Sequence, residues 1–221
     1  MRAKRPGATR AILLALALPL VAVAPRPASA ENQAPARYIV KPVVEKKIKK
    51  LPTGPLYWRI ENFPTVEQAK AAAGPDGWNP DTVSYQTTTS LVAEIAGKVW
   101  LFTLGQKGAA TPGGSKVAEI GPVPPVTAPE YLLRVNRGSG PPGSRTPTHT
   151  HPGSESFYVV EGRLGQKTPQ GVMYVEAGKT MSGHEAGMPM EVFNAGTTGL
   201  TALIMFVVDA TKPFSVPAKF E

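Results

Sequence analysis

The stretch Gly143-Ser144-Arg145-Thr146-Pro147-Thr148-His149-Thr150-His151-Pro152-Gly153-Ser154-Glu155, with Gly162 seven residues further on, decides how this chain is read. On a β-strand, side chains two apart share a face, so His149 and His151 converge on one point. Glu155 keeps their parity if the Pro152-Gly153-Ser154 link turns the chain without inverting it. Two imidazoles and a carboxylate are a donor set for Mn, Fe, Ni, Cu or Zn that leaves coordination positions open for substrate or water. Burying three ionisable groups with no partner costs several kcal/mol. That cost favours a divalent transition metal among them over a metal-free cluster.

The pattern Gly143-x5-His149-x-His151-x3-Glu155-x6-Gly162 resembles the first conserved motif of the cupin superfamily and matches it at every position. The second cupin motif ends in Pro-x-Gly-x-x-His-x3-Asn. Here Glu185-Ala186-Gly187-Met188-Pro189-Met190-Glu191-Val192-Phe193-Asn194 keeps Gly187 and Asn194, but has Glu185 for the proline and Met190 for the third histidine ligand. The resemblance covers about residues 130–212. It implies an all-β fold, an antiparallel, jelly-roll-like cupin barrel, with His149, His151 and Glu155 as metal ligands and a homodimer as the common assembly. It does not select a reaction, because one such fold serves dioxygenases, isomerases, decarboxylases, sugar binders and storage proteins.

Met190 bears on the choice of metal. A thioether is a soft, neutral ligand that suits Cu(I) better than Mn or Mg; the plainer alternative is a gap-filling core methionine. His184, the only other histidine, sits between Gly183 and Gly187. It is a candidate displaced ligand or proton shuttle, the alternative being an exposed loop histidine. By strand parity Phe157 and Val159 join Glu155, and Val192 joins Met190, in the expected pocket wall, with Tyr174 at its mouth. Such a pocket takes a small, partly hydrophobic ligand in preference to a highly charged one.

The N-terminus carries Arg2, Lys4, Arg5 and Arg10, an apolar run over residues 11–24, and Ala28-Ser29-Ala30 as a small-residue cleavage site, the pattern of a secretory signal peptide over residues 1–30. The run is shorter than the ~20 residues that span a bilayer, so no stable membrane span is expected after cleavage. The expected location is periplasmic or secreted. The formal charge is +8, but removing this segment takes five of the 24 basic residues and none of the 16 acidic ones, leaving +3. Nucleic-acid binding has little support from that balance. With no cysteine in the chain, disulfides, thiolate zinc sites and cysteine nucleophiles are excluded.

Beyond the leader, residues 31–89 read as a polar extension with one short helix near 65–74. Thr65 and Gln68 form a capping box there, the alanines favour helix, and Gly74 followed by Pro75 ends it. From residue 90 the pattern changes to apolar runs of strand length at 91–95, 99–104, 131–135, 157–160, 172–175, 190–193 and 200–208, separated by Gly, Pro and Asn. This spacing is that of an antiparallel barrel. Residues 90–221 are assigned to the barrel, with residues 90–130 adding strands to it and the Pro/Gly-rich segment 138–143 forming a loop at its mouth. Two functions fit: a metal-dependent oxygenase or related small-molecule enzyme, or a binding protein for a small molecule or copper that does no chemistry.

Overall fold

The computed structural model describes residues 37–74 and 89–220. The leader expected over residues 1–30 lies outside them. The described chain is antiparallel β with one short helix. In order it runs β1 Ile39–Ile48, β2 Tyr57–Phe63, α1 Val66–Ala73, β3 Ser90–Ile95, β4 Lys98–Gly105, β5 Ser115–Ile120, β6 Tyr131–Gly140, β7 His149–Thr150, β8 Gly153–Glu161, β9 Arg163–Thr168, β10 Gly171–Glu176, β11 Thr180–Met181, β12 Glu191–Asn194, β13 Leu200–Asp209 and β14 Val216–Pro217.

The central sheet has the order β1-β6-β13-β8-β11. Strand β13 is apolar at almost every position, the composition of a strand covered on both faces. Ala202, Ile204, Phe206 and Val208 point to one side and join Phe157, Val159, Leu164, Val175 and Val192 in one core. Leu203, Met205 and Val207 point to the other and join Trp58, Ile60, Phe102, Leu104, Leu133 and Val135 in a second. The first core fills the barrel, which the three-stranded sheet β10-β9-β12 and the short pair β14-β7 complete. The second lies between the central sheet and a four-stranded sheet of order β3-β4-β2-β5.

Two expectations change here. Within the segment 31–89, the described residues 37–74 are not an extension outside the sheets: β1 pairs with β6 over its whole length, and β2 is an inner strand between β4 and β5. Strand β1 escapes sequence reading because it is a solvent-facing edge whose lysines hide its alternation, the burial pattern being mostly exposed. Residues 90–130 do not enlarge the barrel; with β2 they form the separate sheet packed on its back. The apolar runs announce strands but not the sheet each strand joins.

The helix forms as its signals require. Thr65 adopts extended backbone and its Oγ1 accepts from the Gln68 N–H at 3.2 Å, while Gly74, at φ +80°, closes the last turn. Ala69 buries against Phe63, Val99 and Leu101 of the four-stranded sheet, away from the barrel. Strand β6 runs through Gly140 instead of opening a loop at residue 138, so the turn at the barrel mouth begins only at Pro141, where the Ser144 N–H donates to the Pro141 carbonyl. Among the described residues no helix is long and apolar enough to cross a membrane.

Candidate metal centre and barrel cavity

Strands β7 and β8 bring the three motif residues to the barrel interior. The kink at Pro152 restarts pairing at Gly153, where β13 lies so close that a side chain on residue 153 would overlap the backbone of Val207 and Val208. Glu155 then faces inward opposite Phe206, fully shielded at 2% exposure, with Phe157 and Val159 on the same face deeper in the core. His151 is 5% exposed and His149 is half-buried at the mouth.

The two imidazoles are held in the same way. His149 Nδ1 lies 2.8 Å from the Pro147 carbonyl oxygen, and His151 Nδ1 lies 2.6 Å from that of Phe214. A carbonyl only accepts, so each Nδ1 carries the hydrogen and each Nε2 presents its lone pair. The rings stand edge to face, 4.9 Å between centroids. His151 Nε2 is 3.7 Å from Glu155 Oε2 inside the barrel. Glu155 Oε1 accepts from Gln166 Nε2 at 2.7 Å.

Burial dominates the protonation of this pair. It raises the Glu155 carboxyl to about 8, the Gln166 hydrogen bond opposing only in part. It lowers His151 to about 4, against the raising effect of the Phe214 carbonyl, with the His149 and Arg134 charges adding to the fall. Without metal, the neutral-pH state is therefore a protonated acid beside a neutral imidazole, and the short separation is not an ion pair. An uncharged pair is what a dry site tolerates.

The donor chemistry fits a transition metal: two oriented imidazole nitrogens and a carboxylate oxygen, each braced from behind. The arrangement is open, and among the described residues no three His, Asp or Glu side chains stand close enough together to enclose an ion as they lie.

The other expected residues divide. Met190 forms a two-way backbone pair with His149, at 2.9 Å in each direction, so it occupies the place opposite the first histidine. Its side chain is 1% exposed, and its sulfur lies 3.5 Å from Gln166 Nε2. His184 is half-buried and its Nε2 is 2.8 Å from Gln166 Oε1; burial lowers its pKa from the usual value. Gly183 allows this approach, because any side chain there would overlap the Glu155 backbone. Val192 lines the cavity. Phe157 and Val159 pack as core and are not among the cavity's lining residues. Tyr174 was expected at the pocket mouth, but it is 53% exposed on the outer face of the edge strand β10, with Phe193 edge-on and the Arg163 guanidinium over its ring.

A cavity of about 450 Å³ adjoins the three motif residues, walled by Val40, Val192, Ile204, Phe206 and Phe214 among others. Phe214 acts as its cover. Its ring lies 4.8 Å from His151 and 4.9 Å from Phe206, beneath the Arg134 guanidinium, while Arg134 pairs with Glu45 of β1.

Four residues that build this site escaped sequence reading. Gln166 had a faint signal, since Leu164 and Gln166 alternate with the charged Arg163 and Lys167. Tyr38, Asn136 and Phe214 had none, because each comes from a distant segment that only tertiary pairing delivers.

The antiparallel strands around one cavity, with His149, His151 and Glu155 among its lining residues, agree with the β-barrel that the motif resemblance implies. Among solved structures, the chain is similar to the DMSP lyase DddQ from Ruegeria pomeroyi DSS-3, with 18% identity over 39% of this chain and 43% of that one, at a TM-score of 0.34. A recombinant oxalate oxidase in complex with glycolate matches at 26% identity over 38% and 45%, TM-score 0.33. An uncharacterized conserved protein with a double-stranded β-helix domain from Klebsiella pneumoniae matches at 20% identity over 39% and 71%, TM-score 0.34. The chain thus spans less than half the length of the lyase and the oxidase. No protein-family model and no curated protein sequence matches it.

Proposed function

We propose that the protein is an exported cupin that holds a divalent transition-metal ion through His149, His151 and Glu155 and acts on a small molecule in the adjoining cavity, as an oxygenase or a related enzyme. One observation carries the reading. Both histidines give their Nδ1 hydrogens to backbone carbonyls, the His149 and His151 rings stand side by side, and His151 Nε2 faces a buried Glu155 carboxyl oxygen 3.7 Å away. A bound metal would supply Lewis-acid polarisation of a ligand oxygen and, for a redox-active ion, electron transfer. The chain's own part is separate. Gln166 fixes the Glu155 carboxyl, the two carbonyls fix the ring orientations, and Phe206 and Phe214 keep water from His151.

Metal analysis of protein purified from its native compartment tests the reading. Wild type should retain an ion that His149→Ala and His151→Ala lose; equal metal content in all three forms overturns it. A second reading, a non-catalytic binder of a small molecule or of copper, draws on Met190 standing where the resemblance places a third histidine. Its sulfur already contacts Gln166, which counts against a free thioether ligand. Equal Cu(I) affinity in wild type and Met190→Leu would remove the copper version. Export is part of the proposal, and N-terminal sequencing of the secreted or periplasmic form should begin at Glu31.

A further inference from the structure

Two polar groups at the cavity have nothing to bond. Tyr38 is 7% exposed and its hydroxyl has no hydrogen-bond partner; Asn136, on the inner face of β6, is 2% exposed and its Oδ1 has none. Both side chains line the same cavity as His149, His151 and Glu155. The other buried side-chain atoms without partners among the described residues, Trp58 Nε1, Ser154 Oγ and Ser156 Oγ, belong to residues that do not line it. An unpaired buried donor or acceptor is a standing cost to folding, and here both belong to residues that line a space a ligand can fill.

The chain also makes room for Tyr38. Residue 138 is glycine, and any side chain there would collide with the tyrosine hydroxyl. Burial first, and then the Glu155 charge, hold the phenol proton well above its usual range, so this hydroxyl stays a donor. Asn136 Oδ1 supplies the complementary acceptor.

We propose that Tyr38 and Asn136 form a recognition point that reads a hydroxyl on a small, neutral, largely apolar ligand, which accepts from Tyr38 and donates to Asn136. This rests on reading the cavity as the ligand site but not on a metal being bound. A hydroxyl is the smallest group that both accepts and donates, and so answers both orphans at once. In the metal-free protein the preferred ligand is neutral, because no lysine or arginine lines the cavity and a carboxylate or phosphate group would be desolvated with no side-chain cation to pair it. Its body is apolar because Val40, Ile204, Phe206 and Phe214 surround it. It is small because the volume, about 450 Å³, lies toward the low end of ligand pockets.

The test uses the full mature protein, chelator-stripped, with phenol, toluene and benzoate as probes in calorimetric or NMR titrations. Wild type should prefer phenol to both others. Tyr38→Phe and Asn136→Leu should each weaken phenol about five- to tenfold, the worth of one hydrogen bond, and leave toluene unchanged. Tyr38→Phe should melt at the same temperature as wild type or higher, since it removes an unpaired buried hydroxyl; a purely structural tyrosine would instead lower the melting temperature and leave the phenol-to-toluene ratio alone. That outcome, or benzoate binding as tightly as phenol, or no phenol preference in wild type, overturns the inference. A metal titration of the same samples separates the two readings. Loss of the phenol preference with metal binding intact sinks this inference alone, and a phenol preference without metal binding sinks only the metal reading.

Discussion

Glu155 and His151 pull the stability of the metal-free protein in opposite directions with pH. The Glu155 carboxyl is raised in the fold to about 8, so its favourable contribution is complete below the ordinary glutamate value and is lost as pH rises toward 8. His151 is lowered to about 4, so its contribution is complete above the ordinary histidine value and is lost as pH falls toward 4. Above pH ~6.5 only the Glu155 effect remains. Chelator-treated protein should therefore lose stability to urea between pH 6.5 and 8, and Glu155→Gln should flatten that slope. An unchanged slope in the variant would mean that the carboxyl is ionised throughout. Gln166 is the pivot of the same cluster, since one amide joins Glu155, Met190 and His184. Gln166→Leu should weaken metal binding about 10- to 100-fold, as loss of groups that brace metal ligands does elsewhere. A competition assay with a chromophoric chelator reads this directly.

Strand β13 is the element on which both cores depend, and its two faces should answer differently to mutation. Leu203 lies in the layer between the central and four-stranded sheets, with no exposure and no place at the cavity. Leu203→Ala should cost about 2–5 kcal/mol in urea denaturation and leave metal affinity unaltered. Reduced affinity at full folding would show that the back layer and the site are coupled. The length of apolar sequence at 200–208 marked a strand but concealed this division of labour. Only the pairing with β6 and β8 shows which residues look into the barrel.

For the molecule as a whole, the structure makes residues 37–74 part of the fold. Strand β1 covers the β6 edge and carries Glu45 to Arg134; β2 joins β4 to β5; Trp58 and Ile60 are wholly buried in the second core. A chain beginning at Ser90 should accordingly fail to fold, showing no cooperative thermal transition by circular dichroism, whereas one beginning at Glu31 should melt as a single unit. Cooperative folding of the shorter chain would restore the view of residues 31–89 as an appendage.

The sequence by itself determined the antiparallel β class and the meeting of His149, His151 and Glu155 at one cavity, because both follow from local rules. Strand parity puts His149, His151 and Glu155 on one face, and the Pro152-Gly153 link needs only to preserve it. The helix was equally legible, since Thr65, Gln68 and Gly74 act within a few residues of one another. Strand alternation was a weaker guide to the pocket wall: Phe157 and Val159 face inward as expected, but depth along the strand makes them core, and Tyr174 lies on the outer face. The tertiary structure alone decided the back sheet, the Phe214 cover, the Gln166 bridge and the delivery of Tyr38 to the cavity that His149, His151 and Glu155 also line. Those features depend on which strands pair and which loops fold back. That choice is settled by burial of both faces of β13, a free energy shared across the whole chain and written in no single segment.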